Sequence, residues 1–99
     1  MTISQAQKRH LRGLAHGRKP VVWIGQHGVT AGVRRELETA LAAHELIKIS
    51  VRVGDREKRD ALIAELAVAL NADLVQRIGN VVSLYRANAD APRLALPAR

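Results

Sequence analysis

Cysteine and phenylalanine are both absent, and Trp23 and Tyr85 are the only Trp, Tyr or Phe residues in the chain. Without cysteine there is no disulfide, no thiolate nucleophile and no cysteine-ligated zinc, a usage that fits a reducing cytosol. With so few aromatics, base stacking on an aromatic platform is not the main recognition mode to expect. No apolar run approaches the ~20 residues of a membrane span, and the opening MTISQAQKRH lacks the apolar core of a signal peptide. Acidic residues are missing from the whole first third. Lys8, Arg9, Arg12, Arg18, Lys19, Arg34 and Arg35 all precede the first of them, Glu36. From Glu36 onward basic and acidic residues cancel, so the formal charge of +7 belongs to the segment before it. That asymmetry suits a surface that meets a polyanion.

A chain of 99 residues is one small domain with little room for a deep enclosed site beside its core, which favours a function carried on the surface. Hydrophobic content of 47% with 25% charged residues is that of a globular protein rather than a disordered one.

What is present is ordered punctuation. Ser4 can cap a first helix that Gly17 ends, with Leu11, Leu14 and Ala15 on one face and Lys8, Arg9, Arg12 and His16 on a neighbouring one. The stretch KPVVWIGQHGVT follows. Its apolar run Val21–Ile24 reads as a buried strand, with Trp23 as core packing, and it stops at Gly25-Gln26-His27-Gly28 before Thr30 caps a helix over about 31–44. Leu46 to Val53 alternates, Ile47, Ile49, Val51 and Val53 against Lys48, Ser50 and Arg52, as a half-buried strand with one wet face does. Gly54 ends it and Asp55 caps a third helix whose apolar stripe is Leu62, Ile63, Leu66, Ala67 and Leu70, with Arg56, Glu57, Lys58, Arg59 and Asp60 as a solvated face. Leu74–Ile78 and Val81–Arg86 are two short strands turned at Gly79-Asn80.

The predicted order is α-β-α-β-α-β-β, a two-layer α/β (α+β) sandwich. Helical crossovers make the first three strands parallel and the hairpin makes the last antiparallel, in a four-stranded mixed sheet with helices on one face. From Ala87 the sequence ANADAPRLALPAR loses periodicity, so residues 1–86 are read as the domain and 87–99 as a mobile tail.

Strand, two-glycine loop and helix N-terminus together are shaped for phosphate, because glycine lets a backbone approach closely and the unpaired N–H groups of a helix start attract anions. Two glycines at such a turn are by themselves only turn chemistry; Lys19 before the strand and Arg34 and Arg35 after the loop add cations that bracket a phosphate. A Walker loop needs GK[ST] and a dinucleotide fingerprint needs GxGxxG, and Gly25, Gly28 and Gly32 match neither. Of the four histidines, His10, His16, His27 and His44, no pair has the i, i+4 spacing of ligands on one helix face, so no metal is expected. His27 lies in the loop, where it can donate to phosphate or serve no role, and His44 reads as a helix-end residue. Asp55, Glu57 and Asp60 read as cap and solvated face, and no GxSxG or paired-carboxylate constellation points to catalysis. Tyr85 fits either core or an exposed contact.

The basic first helix, KPVVWIGQHGVT, HELIKI, Asp55-Arg56-Glu57 and the closing RIGNVVSLYR resemble a CRM domain (chloroplast RNA splicing and ribosome maturation), in its small bacterial YhbY-type form, from about Ser4 to Arg86. The resemblance implies a fold similar to the C-terminal domain of translation initiation factor three. It also implies a non-catalytic, cofactor-free, cytoplasmic RNA-binding protein that associates with rRNA in large-subunit precursors and assists ribosome assembly. It places RNA contact at the GxxG loop, here Gly25, Gln26, His27 and Gly28, and on the basic surface beside it, as a KH domain clamps a nucleic-acid backbone. Where many such loops carry Lys or Arg between the glycines, this one has Gln26 and His27, which shifts weight to Lys8, Arg9, Arg12, Arg18, Lys19, Arg34 and Arg35. The expected state is a monomer with no membrane association. The rival readings are a general nucleic-acid binder, a small RNA-acting enzyme and a module for an acidic protein partner.

Overall fold

Each helix begins where a short polar side chain can replace a missing intrahelical acceptor. In a computed structural model, which describes residues 3–88, 90 and 94–97, Ser4 Oγ accepts from the Gln7 amide at 3.1 Å while Gln7 Oε1 accepts from the Ser4 amide at 3.0 Å. This reciprocal cap starts α1 (Gln5–His16). Thr30 caps α2 (Ala31–His44) by accepting from the Val33 amide, and Asp55 caps α3 (Arg56–Ala69) by accepting from the Lys58 amide at 2.9 Å. Four strands alternate with them, β1 (Pro20–Ile24), β2 (Leu46–Val51), β3 (Asp73–Ile78) and β4 (Val81–Tyr85), giving the order α-β-α-β-α-β-β.

The strands form one mixed sheet in the spatial order β1-β2-β4-β3. β1 and β2 are parallel, and β4 runs antiparallel to both β2 and β3, so β1, β2 and β3 share a direction that β4 opposes, as the sequence predicts. All three βα or ββ connections that follow β1, β2 and β3 therefore leave from one end of the sheet. That end collects the Gly25–Gly28 loop, the Arg52–Asp55 loop and the Gly79-Asn80 turn.

Alternation along the strands sends side chains to two different cores. Val22, Ile24, Ile47, Ile49, Val51, Val82 and Leu84 face α2 and α3, meeting Leu37, Leu41, Ile63, Leu66 and Leu70. Leu46 and Tyr85 point the other way and, with Val75, receive Leu11 and Ala15 of α1. The helices therefore lie on both faces rather than one, since the outward residues at the Leu46 end of the sheet are themselves apolar and need a cover. Tyr85 is core, 3% exposed, and burial raises its pKa above the ordinary tyrosine value, with the Glu45 and then the Asp73 carboxylate adding to the shift.

β2 stops at Val51 instead of Val53, because only the Arg52 amide, donating to the Ile24 carbonyl at 2.7 Å, carries the pairing further. Its predicted wet face is largely closed, with Leu46 and Ser50 buried and Lys48 half-buried between neighbouring strands. Trp23 is not core: it alternates away from Val22 and Ile24 and is 60% exposed.

The segment expected as a tail is laid against the domain where it is described. Leu94 and Leu96 pack on the α1 core, and Gln7 Nε2 donates to the Pro97 carbonyl at 3.0 Å. Glu45 organises this contact. Its side chain is buried and accepts from the amides of Asn88 at 2.6 Å and Leu94 at 2.8 Å, and its carbonyl accepts from the Arg86 amide at 2.9 Å. It does so from a positive φ of 62°, a conformation that costs a non-glycine residue about 1–3 kcal/mol and persists because its surroundings fix it.

Candidate nucleic-acid interface

Gly25 to Gly28 close a turn in which the Gly28 amide donates to the Gly25 carbonyl at 2.9 Å, leaving Gln26 and His27 exposed at its tip. Gly28 has φ +70°, which a β-branched residue cannot adopt cheaply, and a Cβ built on either glycine meets nothing within 4 Å. Both glycines thus leave open space, and a polymer backbone can approach the turn closely. Val29 packs under the loop against the core and Thr30 opens α2 immediately after it, so the free amides of the helix start lie just behind the turn.

The predicted cations do not form one patch. Lys8, Arg9 and Arg12 ride on α1, which packs on the Leu46 and Tyr85 end of the sheet, opposite the loop. The five-residue step from Leu46 to Val51 puts about 17 Å between the two ends. Lys19 is exposed ahead of β1, also at the α1 end, and Arg18 beside it is occupied, donating from Nη1 to the Leu46 carbonyl at 2.6 Å. Arg34 and Arg35 sit at the loop end, yet Arg34 leans across to α3, where Nη2 donates to the Ala69 carbonyl at 3.1 Å. Arg35 lines a 480 Å³ cleft along the outer edge of β1.

Arg56 and Arg59, which read in the sequence as part of a solvated face, also belong to the loop end. Arg56 and Arg59 of α3 and Arg77 of β3 line a 380 Å³ pocket with Gly79 of the hairpin. Arg59 Nε is buried there without a hydrogen-bond partner among the described residues, while Arg77 is paired with Asp60 and donates to the Gly79 carbonyl. The signal is three arginines near a strand end, but only the topology, which returns β3 beside the start of α3, brings Arg77 to the other two.

Among the described residues no three His, Asp or Glu side chains converge as metal ligands, and no helix is long and apolar enough to cross a membrane. What the arrangement offers chemically is backbone amides, a small polar tip and arginines at one end of a sheet. Backbone amides and arginines are groups that hold phosphates in place.

The comparisons with known proteins identify the family to which a chain of this fold belongs. The profile of the CRS1 / YhbY (CRM) domain matches residues 3–86. An RNA-binding protein of Haemophilus influenzae is 44% identical over 96 residues, spanning 97% of this chain and 96% of the relative. A Pseudomonas aeruginosa protein named a probable RNA-binding protein is 42% identical over 88 residues, 89% of this chain and 85% of that one. The solution structure of a hypothetical RNA-binding protein of Staphylococcus aureus superposes with a TM-score of 0.81 at 31% identity, covering 97% of this chain and 100% of the other. The chain belongs to the CRS1 / YhbY (CRM) domain family of RNA-binding proteins.

Proposed function

We propose that this protein is a non-catalytic chaperone of ribosome assembly in the cytoplasm, binding as a monomer to rRNA in precursors of the large subunit and holding the RNA by its backbone at the loop end of the sheet. The observation that carries this reading is the Gly25–Gly28 turn, with open space where a Cβ would sit on either glycine, the α2 N-terminus behind it and the Arg56, Arg59 and Arg77 pocket at the same end. Amides in such a turn can reach between phosphate oxygens, and the arginines supply charge. The basic face of α1, at the opposite end, supports a second, purely electrostatic contact. An RNA engaging both is a folded one that wraps the domain.

Two variants separate these contacts. Gln26→Asp with His27→Asp places two carboxylates at the exposed tip, where phosphates would lie, and should reduce RNA affinity at least tenfold with unchanged thermal unfolding. Lys8, Arg9 and Arg12 changed together to Ala should lower the slope of log affinity against log salt by about 0.7 for each phosphate of unpaired RNA that is no longer neutralised. Both are assayed for binding to rRNA and for cosedimentation with large-subunit precursors. Wild-type affinity in the folded Asp variant would remove the loop from the interface. Competition by duplex DNA as effective as by rRNA would favour the general nucleic-acid binder instead.

A further inference from the structure

The face of the sheet that α1 leaves open carries an exposed indole. α1 covers the Leu46, Val75 and Tyr85 end, and four residues further along β2, about 13 Å away, a row crosses the sheet with Ser50 buried at its centre and its two edge members exposed. Its members are fixed by register: Trp23 pairs with Ser50, Ser50 with Val81 and Val81 with Ile78. Trp23 and Ile78, on the two edge strands, are 60% and 68% exposed, and Trp23 is two residues ahead of the Gly25–Gly28 turn. A small domain gains by burying its one Trp, so an indole held on the surface between two fully packed neighbours, Val22 and Ile24, invites an account.

Charge says what covers it. β1, β2, β4 and the loop from Gly25 to Thr30 contain no Asp or Glu, and the one acid of the sheet, Asp73, lies at the far end. Cations are at hand on the same side by alternation: Lys48, half-buried one row back, and Arg52, exposed one step beyond Ser50 and tied by its amide to the Ile24 carbonyl. An apolar ring flanked by cations, at the end of the face away from Asp73, complements a nucleotide, with the base on the indole and the phosphate on Arg52. Duplex RNA offers no free base face at this spacing.

We propose that Trp23 is a stacking platform for one unpaired RNA base, placed so that a strand leaving the Gly25–Gly28 turn lays its next nucleotide across β1 with the adjoining phosphate on Arg52. This rests on the RNA-binding reading above and adds a single-stranded subsite to it. Because the rest of the row is aliphatic or a buried serine, the site takes one base and reads it weakly for sequence.

The chain reports on itself, since Trp23 is its only Trp. The full-length protein is titrated with a short, unstructured, mixed-sequence RNA, following Trp23 fluorescence and, separately, the anisotropy of the labelled RNA. The expected result is quenching that saturates along the anisotropy isotherm. Trp23→Ala should lose about 10- to 100-fold in affinity with an unchanged salt slope, Trp23→Phe should recover most of it, and Arg52→Ala should lower the slope. All are exposed positions, and thermal unfolding checks that each variant folds. Anisotropy binding without quenching, or wild-type affinity in Trp23→Ala, would overturn the platform while leaving the loop contact standing. A dimer in sedimentation that Trp23→Ala dissociates, with RNA affinity unchanged, would overturn it in favour of a second copy of the chain on this face. Failure of the wild-type protein to bind any RNA would sink the underlying reading as well.

Discussion

Glu45→Ala is the substitution for which the structure gives the sharpest expectation. The Glu45 carboxylate accepts from the Asn88 and Leu94 amides, and charge-assisted bonds of this kind contribute roughly 1.5–3 kcal/mol each. The loss cannot exceed what docks the C-terminal segment, because the freed amides can lift off into water. Leu94 and Leu96 are half-buried, so each adds about 1–1.5 kcal/mol of apolar burial, partly offset by the entropy of ordering the segment. A net destabilisation of about 2–3 kcal/mol follows, which for a domain of this size lowers Tm by roughly 10–20 °C. The positive φ is kept by Ala, so backbone strain does not confound the comparison, whereas Glu45→Gly would relieve about 1 kcal/mol of it. Thermal and urea unfolding should be measured in the full chain and in a chain ending at Ala87. In the shortened chain the Glu45→Ala cost should fall to under ~1 kcal/mol, since the amides it serves are gone. An equal loss in both backgrounds would refute the clasp and assign Glu45 some other structural role.

Two further outcomes follow from the geometry. Gly25→Ala, at an ordinary φ with open space at Cβ, should leave stability within ~0.5 kcal/mol, while Gly28→Ala should cost about 1 kcal/mol from its φ of +70°; both should weaken RNA binding if a backbone passes the turn, as filter binding alongside thermal melts will show. Tyr85 keeps its proton to higher pH folded than unfolded, so its contribution to stability is intact below about pH 10 and is lost as pH rises from there through the folded value; Tyr85→Phe should flatten the alkaline limb of a stability–pH curve, and an unchanged limb would count against burial as the cause.

The helix starts are fully legible in the sequence because capping is local: Ser4, Thr30 and Asp55 each announce a helix within three residues of their own bonds. The strand directions follow from connection lengths in the same way. Trp23 reads wrongly as core because four apolar residues in a row look alike whether a strand is covered on both faces or on one, and which applies depends on where α1 packs. Glu45 carries no signal, since a carboxylate becomes a clasp only when two amides some forty residues away arrive beside it. The C-terminal leucines escape notice for a related reason: Leu94 and Leu96 dock as irregular chain, which has no period to detect. Where the candidate cations lie does not follow from their order in the sequence. Lys8, Arg9 and Arg12 are close to the loop in sequence and at the other end of the sheet in space, whereas Arg77 is far along the chain and at the loop end.

The bond from Gln7 to the Pro97 carbonyl holds the first turn of α1 beside the segment that follows β4, on the end of the sheet away from the Gly25–Gly28 turn. From Gln7 to Pro97 the fold is therefore nearly a closed ring. It can be spliced as one cassette into a surface loop of another protein, or rejoined by a short linker and reopened at the exposed Gly79-Asn80 turn, without stretching any strand.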